Sequence, residues 1–226
     1  MSKKAKHEVP ATASRRGLNR VGPSVALAMS QQSNDEKTVY LVRHAQSEQN
    51  IATARLEKGD VGALGDLVRL GFDAPVSAEG RQQLTTAARS LDGFANQHKI
   101  EIVAHSPYQR AVTTAMALFS GHHRPLELLP PLHERTIAEY LFPSLLDNRI
   151  RQVCEWLNGR EERVIALVGH GQFFKRCIGA PGAVQPNVSI LETKYSREGG
   201  FLGFRCVRTA YAGFPEPGSA SEVKPV

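Results

Sequence analysis

Three apolar runs in this 226-residue chain end in residues that could do chemistry. "TVYLV" runs into Arg43-His44, "IEIVA" into His105-Ser106 with Arg110 soon after, and "RVIALV" into Gly169-His170-Gly171. A buried strand needs no such ending. A guanidinium fork matches phosphate oxygens, an imidazole can act as nucleophile or donor, and a helix start after each strand adds oriented N–H groups. Each piece alone is an ordinary solvated or capped strand end. Three of them at one sheet edge would make an anion site.

The elements that must position them read as an alternation. "KTVYLVRH" is β-branched and aromatic, as expected of a buried parallel strand. The stretch from Ser47 to Pro75 carries four glycines and reads as a helix start followed by a mobile excursion that could cover a pocket. Ser77 then caps a helix carrying Leu84, Ala87, Ala88, Leu91 and Phe94 at helical spacing. "IEIVAHS" is the second strand, "YQRAVTTAMALFS" a helix halted at Gly121, and "PLELLPPL" a short strand closed by prolines. Leu145, Leu146, Ile150, Val153 and Leu157 predict a helix ending at Gly159. "RVIALVGH" is the next strand and "GQFFKRCIGA" a short helix, while "VSILETKYS" and "FLGFRCVRT" form a hairpin. The expected fold is therefore three-layer α/β/α, with a mainly parallel central sheet, one antiparallel edge strand, and the site at the strands' carboxyl ends.

Composition narrows the function class. Apolar content of 41% and charged content of 22% are those of a globular domain. No stretch approaches the roughly 18 apolar residues that cross a bilayer, so no membrane partner is expected. The net charge of +6 is misleading as a nucleic-acid signal, because six basic residues against Glu8 place +5 of it in the first 34 residues. The chain divides into a basic tail over 1–36, read as disordered or as a targeting segment; one domain over 37–212; and a loose Pro- and Gly-rich tail over 213–226. Cys154, Cys177 and Cys206 are scattered and unpaired in sequence, which predicts reduced thiols and a cytoplasmic location, with organelle targeting through residues 1–36 as the alternative. No His, Asp or Glu cluster has metal-ligand spacing, and neither metal nor cofactor is expected.

These residues resemble the histidine phosphatase superfamily, also called phosphoglycerate-mutase-like, over about residues 38–210. Arg43-His44-Ala45 with Asn50 is similar to its opening signature. "SPYQRA" at 106–111, "LHER" at 132–135 and Gly169-His170-Gly171 follow in the family's order. Ala45 stands where the family most often has glycine, which bears on rate more than on mechanism, although "RHAQ" resembles a phosphatase-rich branch.

The resemblance implies that His44 is the nucleophile and forms a phosphohistidine, with its tautomer fixed by a hydrogen bond from its other ring nitrogen to an acceptor such as a backbone carbonyl and imidazolium disfavoured by the neighbouring cations. It implies Arg43, Arg110 and His170 around the phosphoryl group, further substrate contacts from Asn50 and Gly171, and Glu134 as general acid, with Glu139 the competing carboxylate. The substrate is expected to be a small phosphomonoester, selected by residues 58–75 and 137–148. Leu141, Phe142 and Pro143 are read as an apolar wall, and Arg135 and Arg149 as able to meet a second acidic group. Two alternatives stay open. A mutase would return the phosphoryl group to its substrate, but the glycolytic mutases have a capping insertion where this chain has only residues 135–169 between Glu134 and His170. A non-catalytic relative would keep the pocket for binding alone.

Overall fold

The computed structural model describes residues 36–122, 125–180, 185–208 and 220–221. The tails read at 1–36 and 213–226 lie outside the described residues, apart from Glu36 and 220–221, as do the side chains of His122 and His123. Among the described residues seven strands form one sheet: β1 (Lys37–Arg43), β2 (Ile102–His105), β3 (Leu126–Leu128), β4 (Val164–Gly169), β5 (Ile190–Ser196), β6 (Gly200–Arg208) and β7 (Ala220–Ser221), in the order β3-β2-β4-β1-β5-β6-β7. The first four in that order are parallel to one another. β5 runs antiparallel to β1, and its hairpin partner β6 with the two-residue β7 broadens the antiparallel edge beyond one strand.

The central parallel strands β1, β2 and β4 are apolar and buried through their middles because both faces are covered, whereas the edge strand β3 has no buried residue. In β1, Val39 and Leu41 face one buried cluster with Ile165 and Leu167, while Tyr40 and Val42 face the other with Ala166 and Val168. Burying each such Val or Leu contributes about 1.5–3 kcal/mol, so register is firmly specified. A one-residue slip would exchange the two faces.

The helices are α1 (Glu48–Glu57), α2 (Ala63–Leu70), α3 (Ala78–Ser90), α4 (Phe94–Gln97), α5 (Gln109–Phe119), α6 (Ile137–Leu141), α7 (Pro143–Asn158) and α8 (Gly171–Cys177). Leu84, Phe94, Ala111 and Leu118 from α3, α4 and α5 pack on one face of the sheet; Leu146, Val153, Phe173 and Phe174 from α7 and α8 pack on the other. Side-chain oxygens start several of them. Ser47 and Asn50 form a capping box on α1, Ser77 accepts from the Gly80 N–H on α3, and Thr136 with Glu139 caps α6.

Two expectations need correction. The glycine-rich stretch after Ser47 is a pair of helices, with Gly59 (φ 90°) and Gly71 (φ 59°) in the turns that follow α1 and α2. The helix begun at Ser77 breaks after Ser90, where Gly93 adopts φ 76° and starts α4. Leu84, Ala87, Leu91 and Phe94 stay in one buried cluster across the break, so the apolar period continued while the backbone did not.

Candidate active site

Three adjacent strands end together. Arg43 pairs in register with Gly169, and His105 with Val168, so the next residues, His44, Ser106 and His170, leave β1, β2 and β4 side by side. The rings of His44 and His170 lie 5.0 Å apart. Both histidines are buried, at 1% and 0% exposure, which makes their protonation a structural matter.

His44 has a fixed tautomer. Its Nδ1 is 2.6 Å from the Ala45 carbonyl, which can only accept, so Nδ1 carries the proton and Nε2 keeps its lone pair. Arg110 Nε donates to that Nε2 at 3.3 Å. Burial first, then the charges of Arg110 and Arg43, hold the His44 imidazole well below its usual range and keep it neutral. The backbone around it is tied on all sides: the His44 N–H donates to Gly169 O at 2.9 Å, the Ala45 N–H to Thr114 Oγ1 at 3.0 Å, and Asn187 Nδ2 to His44 O at 2.8 Å. Ala45 is fully buried in the core and does not take the left-handed φ that would demand glycine, so its methyl is accommodated.

His170 is oriented by Ser106. The Tyr108 N–H donates to Ser106 Oγ at 3.3 Å, which directs the hydroxyl proton to His170 Nε2 at 2.8 Å. His170 Nδ1 is then an N–H donor, buried without a partner among the described residues and 4.0 Å from Glu134 Oε2. Burial, with His44, Arg110 and Arg43 nearby, pushes this imidazole well below its usual range too.

Arg110 is 2% exposed and is held by donating from Nη1 to Phe72 O at 2.9 Å, with the Tyr108 ring 4.8 Å from its guanidinium carbon. Arg43 is braced through Nη1 on the Gln185 carbonyl, and Gln185 Nε2 in turn donates to Leu41 O and Ser189 O. Glu134 accepts from the Arg135 N–H at 2.8 Å, and burial raises its carboxyl despite the lowering pull of that bond and of Arg110, Arg43 and Arg149.

The structure thus brings Arg43, His44, Arg110, Glu134 and His170 together. Gly171 is buried as the first residue of α8. Asn50 is nearby but partly committed: its Oδ1 accepts from the Ser47 N–H at 3.1 Å and from Asn187 Nδ2 at 3.4 Å. Arg149 is not available to a substrate. It is buried in a two-bond pair with Glu139 at 2.7 Å each, which also removes Glu139 as the competing acid. Arg135 donates to Glu139 O at 3.0 Å and stacks 3.9 Å over Tyr140. Sequence reasoning missed the roles of Ser106, Thr114, Gln185 and Asn187, whose partners are distant in the chain. It also missed that His44, Glu134 and His170 offer possible metal-donor atoms within 4.8 Å of one another. Arg43 and Arg110 beside them make the pocket electropositive, a setting that favours an anion over a divalent cation.

Above these groups opens a cavity of about 450 Å³, lined by Arg110 and Glu134 at one end and by Leu67, Val68, Phe72, Ile137 and Tyr140 towards solvent. Both segments expected to set selectivity contribute to it. Leu141, Phe142 and Pro143 do not line it; Leu141 and Phe142 are exposed elsewhere, and the apolar wall comes instead from one turn earlier.

Comparison with known proteins bears on the family and the fold. Residues 39–141 match the profile of the histidine phosphatase superfamily (branch 1). The chain is 32% identical over 85 residues to phosphoglycerate mutase-like protein 1 of Arabidopsis thaliana, and 33% identical over 85 residues to phosphoglycerate mutase-like protein 2 of the same plant. Each match covers 38% of this chain but only 28% and 23% of those relatives' lengths. A solved Escherichia coli structure, provisionally described as an alpha-ribazole-5'-P phosphatase, superposes with a TM-score of 0.55 at 16% identity, over 78% of this chain and 98% of that one. At that identity the likeness concerns the fold.

Proposed function

The chain is a member of the histidine phosphatase superfamily, and from that premise we propose that residues 37–212 form a domain that hydrolyses phosphate monoesters through a phosphohistidine at His44. The observation that carries this reading is the His44 tautomer. A buried Nε2 lone pair, with Nδ1–H spent on Ala45 O and Arg110 alongside, is a nucleophile that needs no deprotonation.

In the first step the Nε2 lone pair forms the N–P bond while the P–O bond to the alcohol breaks, and protonated Glu134 gives its proton to the departing oxygen. In the second step the Glu134 carboxylate takes a proton from water, the hydroxide oxygen bonds to phosphorus and the N–P bond breaks. His44 and the Glu134 acid are restored, and alcohol and phosphate are the products. Arg43, Arg110 and the His170 Nδ1–H are donors to the phosphoryl oxygens. Losing one such donor typically costs about 100- to 1000-fold in rate. No metal is needed to make the nucleophile or to neutralise the charge.

Hydrolysis is favoured over mutase-type transfer because residues 135–169 are spent on α6, α7 and β4, leaving none of that segment to form a further cap over the phosphoenzyme. The test is turnover of an aryl phosphate with a chelator present, by wild type and His44→Ala. Phosphate release and acid-labile phosphoprotein should both vanish in the variant. Turnover that survives His44→Ala, or that the chelator abolishes, refutes the proposal.

A further inference from the structure

We infer that the preferred substrate is a phosphomonoester whose alcohol carries an apolar body, seated between α2 and α6. This deepens the proposed function and rests on it. The cavity is continuous with the phosphate end, since Arg110 and Glu134 line both, and a leaving group bonded to phosphorus at His44 has to extend into it.

The walls carry apolar side chains where solvent exposure calls for polar ones. Val68 is 77% exposed, Phe72 60%, Ile137 67% and Tyr140 52%. Single exposed apolar residues are ordinary, but four around one mouth over a reactive centre mark a surface waiting for apolar cover. They come from two separate segments, 67–72 and 137–140, so helix amphipathicity alone does not account for the convergence. Charge is scarce beyond the phosphate end. Arg135 is the cation at that level, and its guanidinium face lies on Tyr140 while Nη2 donates to Glu139 O. Gln49, Thr53, Tyr108 and Thr136 also line the cavity, but Val68, Phe72 and Ile137 offer no partner to a sugar or a second carboxylate, whose polar groups would be stripped of water against them. An alkyl or aryl body loses nothing there and gains its own burial.

The test separates leaving-group burial from leaving-group reactivity. The n-alkyl phosphates from ethyl to octyl have alcohols of nearly constant acidity, with glycerol phosphate as the polar comparison. The value of kcat/KM should rise about 3- to 4-fold for each methylene that enters the mouth, then level off once the chain reaches solvent. In the double variant Val68→Ser, Ile137→Ser the octyl-over-glycerol ratio of kcat/KM should fall about 10-fold or more. Both positions are largely exposed, so the fold should survive, and neutral serine adds no repulsion towards phosphate. A flat alkyl series, or a ratio the variant does not move, overturns the inference while leaving phosphatase activity standing. Absence of phosphate release and of phosphohistidine across the whole panel overturns the phosphatase reading, and this inference with it.

Discussion

The Glu139–Arg149 pair should contribute about 3 kcal/mol to stability at neutral pH, and that contribution should disappear in acid. Glu139 is 5% exposed and receives Arg149 Nε and Nη2 at 2.7 Å each, with the Thr136 N–H at 2.8 Å. Burial alone would raise its carboxyl, but the bonds from Arg149 and Thr136 outweigh it and hold the group at about 2 against an ordinary 4.5. The folded-state value is depressed, so the stabilisation is complete well above 4.5 and is lost as pH falls towards 2. A shift of about 2.5 units at about 1.36 kcal/mol per unit gives about 3 kcal/mol. Glu139→Gln should cost a similar amount, since it leaves the Arg149 charge buried without its counter-ion.

The assay is urea unfolding of wild type and Glu139→Gln at several pH values. The gap should be about 3 kcal/mol at pH 7 and should narrow by about 1.4 kcal/mol at pH 3.5, where an unfolded carboxyl is largely protonated and the folded one is not. A gap below about 1 kcal/mol at pH 7, or one that stays constant down to pH 3.5, would refute the reasoning, because both follow from the single depressed value. There is a catalytic corollary. Arg149 also donates to the carbonyls of Pro131 (2.9 Å) and His133, the backbone that delivers Glu134, so the variant should lose more rate on alkyl phosphates than on activated aryl phosphates, which need no general acid.

Ser106→Ala should lower the rate about 10- to 100-fold, since it removes the hydroxyl that keeps the His170 Nδ1–H turned towards phosphate, and should lower Tm by about 2–12 °C, since it leaves the buried His170 Nε2 without a donor; steady-state kinetics beside a melting curve checks both. Gly80→Ala should destabilise by about 3 kcal/mol, a Tm loss of roughly 6–12 °C for a chain of this size. A Cβ there would meet Gln46 O at 2.1 Å and Val76 Cγ1 at 2.7 Å, and an unchanged Tm by calorimetry would mean that α3 can shift. For alkyl phosphates, kcat/KM should fall as pH rises through the elevated Glu134 value, and Glu134→Gln should abolish that limb while aryl phosphates show it weakly; a limb that persists in the variant assigns it to another group.

Much of this site is local in the chain and therefore legible. The runs before Arg43, Ser106 and His170 are short, apolar and followed by helix starts, and a parallel sheet must bring such ends to one edge. Less legible was what holds each group in place. Ser106 and His170 share a hydrogen bond across 64 residues, and Gln185 braces Arg43 across 142, distances at which sequence spacing carries no information. Arg149 reads in sequence as able to meet a second acidic group of the substrate, yet its position gives a signal against that: it lies three residues after Leu146 and four before Val153, on the buried stripe of α7. A charge on an apolar stripe implies a buried partner, and Glu139 was the acid just before the helix. The α1–α2 pair was hidden for the opposite reason, because glycines that end helices look the same in sequence as glycines that fill a loop.

The charges in the pocket also couple acid to substrate. Arg43 and Arg110 have two effects at once: they add to burial in keeping His44 and His170 neutral, which the proposed mechanism requires, and they draw the Glu134 proton off, which works against it. Only burial opposes that second effect in the empty site. A phosphoryl dianion bound between the arginines reverses the balance, since it offsets their field at Glu134 and adds negative charge of its own, both of which favour the protonated acid. The same dianion stabilises imidazolium, but the His44 Nε2 lone pair is then directed at phosphorus and His170 Nε2 is occupied by Ser106, so neither ring has a free nitrogen facing water to take the proton. In the proposed mechanism, substrate binding would therefore load the acid without disarming the nucleophile, and the two roles separate because their nitrogen and oxygen atoms are held in different hydrogen-bonding environments only a few ångströms apart.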